Sequence, residues 1–105
     1  MDSLGDYSND VWRAMLAESL VEHAREERPA SVRAFLLQQL RLIATAADAP
    51  KLGPMMNDKD PLVVDAAAAA MVSIGKSATK DLEKELQGAE GHSKTAIRHA
   101  LNQLS

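Results

Sequence analysis

A chain of 105 residues with net charge −3, 46% hydrophobic residues and only 3% aromatics has room for one small domain, whose core must be built from Ala, Leu, Val, Ile and five Met. It contains no cysteine, which excludes disulfides, thiolate metal sites and cysteine nucleophiles. The mildly acidic balance argues against nucleic acid and anionic membranes as partners. No apolar run approaches the roughly 18 residues needed to span a bilayer. The acidic start Met1-Asp2-Ser3-Leu4-Gly5-Asp6 lacks the basic and apolar regions of a secretory signal, so a cytoplasmic location is expected if the chain is complete.

Residues 1–9, with Gly5, Ser8 and Asn9 and no periodicity, read as a flexible leader ahead of a single domain over 10–105. A first helix is expected over 10–27, with Val11, Trp12, Met15, Leu16, Leu20 and Ala24 recurring at three and four residues as one apolar stripe. Trp12 points to specific packing there. Pro29 stops that helix and suits the first turn of the next, about Ala30 to Ala46, whose apolar positions include Val32, Phe35, Leu36, Leu37, Leu40, Leu42 and Ile43. Asp48 is the expected N-cap of a short helix from Ala49 to Met56. Gly53-Pro54 inside it predicts a kink or a partly 3₁₀ course, because proline removes a helical hydrogen bond.

Asp60-Pro61 is a strong start signal for a fourth helix running to about Ile74. It is apolar almost all round, with five alanines from Ala66 to Ala70, and should be the most buried helix. Gly75 fits the residue just past its end. Ser77 is the expected cap of a fifth helix, about Ala78 to Gln87, with Leu82 and Leu86 inward. After a loop over 89–92, Ser93 opens a final helix, 93–104, carrying Ala96, Ile97, Ala100, Leu101 and Leu104.

The pattern repeats. Pro29 and Pro61 are 32 residues apart, as are Val32 and Val64; Leu52 and Leu82 are 30 apart, as are Met56 and Leu86. Ile97 follows Val64 by 33 residues. Each unit has a proline or cap, a longer apolar helix, a tight turn and a shorter helix. Two helices in about 31 residues predict an all-α chain of about six helices, stacked as antiparallel hairpins in an α-α superhelix, or solenoid.

Pro29, Val32-Arg33, Leu40, Ile43, Leu52 and Met56 in one unit resemble the short HEAT-like repeat, as do Asp60-Pro61, Val64, Ala67, Met71, Ile74-Gly75, Leu82 and Leu86 in the next. The resemblance sets repeats at 29–57 and 60–88, with the first helix and the final helix, which opens on Ile97-Arg98, as half units. Asp65 stands where that family has arginine, and Ala44 where it has the turn glycine, which questions an arginine–acid ladder between repeats. The Thr-Pro-Leu-His element of ankyrin repeats and the Trp-Leu-Gly-Tyr framework of tetratricopeptide repeats are absent.

Glu22, His23 and Glu26 share a helix side, as a carboxylate–histidine metal site would require. No His-Glu-x-x-His accompanies them, and such spacing is common on charged helices. His92 and His99 read as surface residues, His92 in the loop before the last helix. Gly75-Lys76-Ser77 mimics the end of a phosphate loop, but Ala70 replaces its upstream glycine. Expected is a non-enzymatic protein with no cofactor and no metal.

The resemblance implies a protein–protein interaction scaffold that uses the ridge of its shorter helices. Helix phase and the family then point to Lys51, Met55, Lys80, Glu83, Lys84 and Gln87 as the exposed contact residues. Lys76, Lys80 and Lys84 align on one side of the fifth helix. They suggest a phosphate-backbone contact as a lesser reading, weakened by Asp81, Glu83, Glu85 and Glu90 and by the lack of stacking aromatics. The alternative class is structural: a spacer or cap in a longer solenoid or multidomain protein, with the end helices stacking on neighbouring repeats or on another copy.

Overall fold

The computed structural model describes residues 2–105, with side chains from Val11 onward. Six α-helices form among them: α1 (Asp2–Arg25), α2 (Ala30–Leu40), α3 (Ala49–Leu52), α4 (Pro61–Ile74), α5 (Thr79–Leu86) and α6 (Gly91–Leu104). Three 3₁₀ turns accompany the short helices: Ala46–Asp48, Gly53–Asn57 and Lys76–Ala78. The helical backbone begins at Asp2, well before the expected start at Asp10. Once a packed turn exists, adding residues to its end is far cheaper than starting a helix, so apolar periodicity is not needed there. The leader assigned to 1–9 is therefore replaced over 2–9 by helical backbone; its side chains lie outside the described residues.

Helices adjacent in space follow a simple order. α2 packs on α4 and α4 on α6, while α1 packs on α2 and α5 on α6. The 3₁₀ turn before α3 meets α1, and the one after it meets α4 and α5. The molecule measures 51 × 32 × 16 Å, and the smallest dimension suits two layers of helices at the usual interaxial spacing of about 8–10 Å.

α4 lies between α2 and α6 and buries Val63, Val64, Ala66, Ala67, Ala70 and Met71. Alanine at three of these positions leaves little side-chain bulk, so neighbouring helices can approach closely. The start and stop signals of α4 operate as read. The Asp60 carboxylate accepts the Leu62 N–H at 3.0 Å with Pro61 in the first turn, and Gly75 ends the helix at φ 99°, a left-handed conformation that favours glycine.

Other boundaries moved. α2 ends at Leu40 rather than Ala46, because Thr45 is extended (φ −125°, ψ 175°) and opens a new turn. Asp48 is buried and does not cap α3. Its carboxylate turns back to accept the Thr45 N–H at 2.9 Å, the reach-back half of a capping box one turn earlier, while its own N–H donates to the Thr45 carbonyl at 2.9 Å and closes the 3₁₀ turn. Ser77 makes no cap for α5, which instead continues from the 3₁₀ turn over Lys76–Ala78. α6 starts at Gly91, where φ is 59°, so Ser93 and His92 both lie inside its first turn rather than before it. The expected conflict at Gly53-Pro54 is resolved as a short α3 that tightens into the 3₁₀ turn over Gly53–Asn57.

Candidate interaction surface

α5 carries most of the contact residues expected from sequence. Its apolar side is short: Leu82 is buried and Leu86 half-buried. The opposite side follows from helix phase and leaves Lys80, Glu83, Lys84 and, just beyond the helix, Gln87 exposed. Acids and bases alternate on this side, and it displays no large hydrophobic residue.

Lys51 and Met55 do not complete that face as expected. The Lys51 side chain is 39% exposed and leans to Glu22 on α1, with Nζ 3.9 Å from Oε1. Met55 is only 5% exposed and Met56 fully buried, both within the core that Leu52 and Leu82 share. Met55 is corrected from contact residue to core residue: Gly53–Asn57 is a 3₁₀ turn, so α-helical phase does not carry through it, and the segment is covered by α4, α5 and α6.

Of the apolar stripe expected on α1, Ala24 is buried and Leu20 half-buried, whereas its first four members face outward. α1 buries Ala17, Val21 and Ala24, one face at spacings of four and three. Val11, Trp12, Met15 and Leu16 lie round the helix from that face and are 42%, 68%, 58% and 51% exposed. Trp12 is thus mostly exposed rather than part of the buried face, which Ala17, Val21 and Ala24 supply. Along α2 and the turn after it, the expected Leu37 and Leu40 are buried and Leu36 and Ile43 half-buried, whereas Val32, Phe35 and Leu42 are exposed. Among the described side chains, only Leu62 elsewhere joins this set of exposed large hydrophobics. A clue was present in the sequence. α1 and α2 have more apolar positions than one face can bury, so some must face outward.

A third feature is a half-open groove of about 580 Å³ between α4 and α6, floored by Ala68, Ala69, Val72, Ala96 and Ala100 and rimmed by Arg41, Asp65, Ser73, His99 and Gln103. The rim is held by polar contacts: His92 Nε2 to Asp65 Oδ1 at 2.7 Å, His99 Nε2 to Gln103 Nε2 at 2.6 Å, and the Ser73 hydroxyl donating to the Arg41 carbonyl at 2.5 Å. Asp65, the departure from the repeat pattern, thus ties α4 to α6 through a histidine.

The Glu22, His23 and Glu26 cluster at the end of α1 is engaged by arginines. Arg28 donates to Glu26 at 2.7 Å and to His23 Nδ1 at 3.0 Å, and Arg25 lies 3.5 Å from Glu22. Among the described residues no three His, Asp or Glu side chains converge as a metal site, and no helix is long and apolar enough to cross a membrane.

Among the described side chains the exposed large hydrophobics therefore concentrate on α1, on α2 and in the turn after α2, and the charged ridge of α5 is secondary. No family model, curated protein or solved structure matches the chain.

Proposed function

We propose that this chain is a non-enzymatic, HEAT-like interaction module, a stack of helical hairpins that offers the outer faces of α1 and α2 to a partner protein. The observation that carries the reading is the exposure of Trp12 and Phe35, at 68% and 58%, together with Met15 and Leu16. Large apolar groups exposed on a soluble protein mark an interaction surface where they form a contiguous patch. Aromatic and methionine side chains are also those that interface cores favour. The alternating order of helix contacts supports the solenoid arrangement, as does the ion pair between Arg33 and Asp58 across the first repeat.

The contact face differs from the ridge of shorter helices. Lys80, Glu83, Lys84 and Gln87 are exposed but balanced in charge, and without Met55 they have no apolar centre around which a stable interface could form.

Selection of binders from a displayed library of amphipathic helical peptides tests the reading, with binding sites mapped by amide chemical-shift changes. Binders should perturb α1 from Val11 to Leu16 and α2 from Val32 onward. Failure to recover any binder, or binders that perturb α5 alone, would sink it.

A second reading shares the same observation: the chain is a spacer or cap in a longer solenoid, and the outer apolar face of α1 and α2 is covered by a neighbouring repeat. It predicts that a helical hairpin added before Asp2 raises stability and protects Trp12 from solvent quenchers. A fusion that leaves both unchanged would remove it.

A further inference from the structure

We propose that the groove between α4 and α6 seats a short amphipathic helix of a partner protein, one that carries an Asp or Glu in its first turn. The site lies apart from the α1 and α2 surface described above. Asp65, Ala68, Ala69 and Val72 fall at i, i+3, i+4 and i+7 on α4, and Ala96, His99, Ala100 and Gln103 do the same on α6. Each wall is thus one face of a helix, about two turns or 12 Å long. The recess between them holds about 580 Å³ above a floor of four alanines and one valine.

The shape and chemistry of the groove select among occupants. It is half-open, so it does not enclose a small molecule as ligand pockets do. An extended peptide would lay backbone N–H and C=O groups against alanine side chains that offer them no partner. A helix satisfies its own backbone. The small floor residues let it approach closely, and its apolar side chains occupy the recess.

Charge then sets the direction of that helix. His92 Nε2 reaches Asp65 Oδ1 at 2.7 Å, so α4 and α6 begin side by side and the acid at that end already has a partner. At the other end the Ser73 hydroxyl donates to the Arg41 carbonyl at 2.5 Å, which sets Arg41 beside the last turn of α4. Among the described residues no carboxylate lies within 4.0 Å of the Arg41 guanidinium, which lines the groove as a cation without a counter-charge. A helix antiparallel to α4 brings its positive N-terminal end to the negative C-terminal ends of α4 and α6. A carboxylate in its first turn there pairs with Arg41.

The experiment is selection from a displayed library of constrained helical peptides of about three turns, panned on the parent chain and counter-selected on Ala69→Leu, whose added side chain occupies the groove. Far-UV circular dichroism checks each variant's fold. Arg41→Glu, at an exposed position, tests the site by charge alone and replaces Ala69→Leu in the counter-selection if the latter does not fold. Surviving clones should carry Asp or Glu in their first turn and shift the amides of α4 from Asp65 to Ser73 and of α6 from Ala96 to Gln103. Their Kd should rise about tenfold or more on Arg41→Glu and stay unchanged on Phe35→Glu.

Several results would overturn the proposal: no clone that prefers the parent over the counter-selected variant, surviving clones with no excess of acids in the first turn, shifts confined to helices other than α4 and α6, or an Arg41→Glu variant bound as tightly as the parent. Each of these can occur while other peptides still engage α1 and α2, so failure here leaves the interaction-module reading to its own test.

Discussion

The Arg33 guanidinium lies 2.7 Å from the Asp58 carboxylate while its Nε donates to the Ala24 carbonyl at 2.7 Å, so one side chain joins the end of α1, the start of α2 and the approach to α4. The other Asp58 oxygen accepts the Asp60 N–H at 2.9 Å, and Asp60 in turn caps α4. The Val32-Arg33 pair is therefore divided in role: the arginine ties the hairpin together and the valine faces outward.

The Arg33 and Asp58 side chains are mostly buried, at 16% and 14% exposed. Arg33→Ala leaves the Asp58 charge and the Ala24 carbonyl without their partner, at a cost of about 2–3 kcal/mol. Arg33→Lys should recover less than half of that, since a single ammonium cannot reproduce the two directions of the guanidinium fork. Urea unfolding monitored by circular dichroism measures both. An Arg33→Ala midpoint equal to the parent's would show that the tie contributes nothing net.

Two glycines near helix ends make opposite predictions. At Gly75 the space is open but φ is 99°, so Gly75→Ala is strained whatever surrounds it and should cost about 1 kcal/mol or more. Gly88 follows α5, has no positive φ and has nothing within 4 Å of an added Cβ. There Gly88→Ala should stabilise by about 0.4–1 kcal/mol, because it restricts the unfolded chain without disturbing the folded one. Thermal melts of the two variants should move in opposite directions.

The paired methionine and lysines that sequence placed on one face now separate by stability. Met55→Ala removes a buried side chain and should cost about 2–4 kcal/mol. Lys80→Ala and Lys84→Ala, on the solvated side of α5, should each stay within about 0.5 kcal/mol of the parent. A Met55→Ala variant as stable as these would return Met55 to the surface.

What the sequence made legible follows the strength of local signals. The start at Asp60-Pro61, the end at Gly75 and the broken course at Gly53-Pro54 depend on backbone chemistry within a few residues, and each was readable. The orientation of α1 was not. Its expected stripe shares Ala24 and the half-buried Leu20 with the packed side, yet the buried face runs through Ala17 and Val21 and leaves the larger residues at the start of the stripe outside, because which side of a helix is covered depends on where its neighbours end. Asp48 misled for a related reason: an aspartate before a helix can cap forward or reach back, and Thr45 three residues earlier supplied the backward partner. The short-helix face failed at Met55 because α-helical phase was applied through a 3₁₀ segment. Phe35 was the missed surface signal, recoverable only by asking whether α2 could bury all its apolar positions at once.

The alanine run of α4 offers a test of close packing within a single helix. Ala70 is fully buried, whereas Ala69 is half-buried and borders the groove between α4 and α6. A leucine at 70 must displace neighbours in a core already filled by Leu37, Leu40, Val63 and Met71, so Ala70→Leu should cost about 1–3 kcal/mol. At 69 the added side chain can lie along the groove floor beside Ala96 and Ala100, where it gains contact without forcing the backbone apart. Ala69→Leu should therefore be neutral to within about 1 kcal/mol. Chemical denaturation of the two variants separates the cases. Equal destabilisation would mean that α4 and α6 already meet as tightly along the groove as α2 and α4 do in the core, and that the groove has no room to receive a side chain.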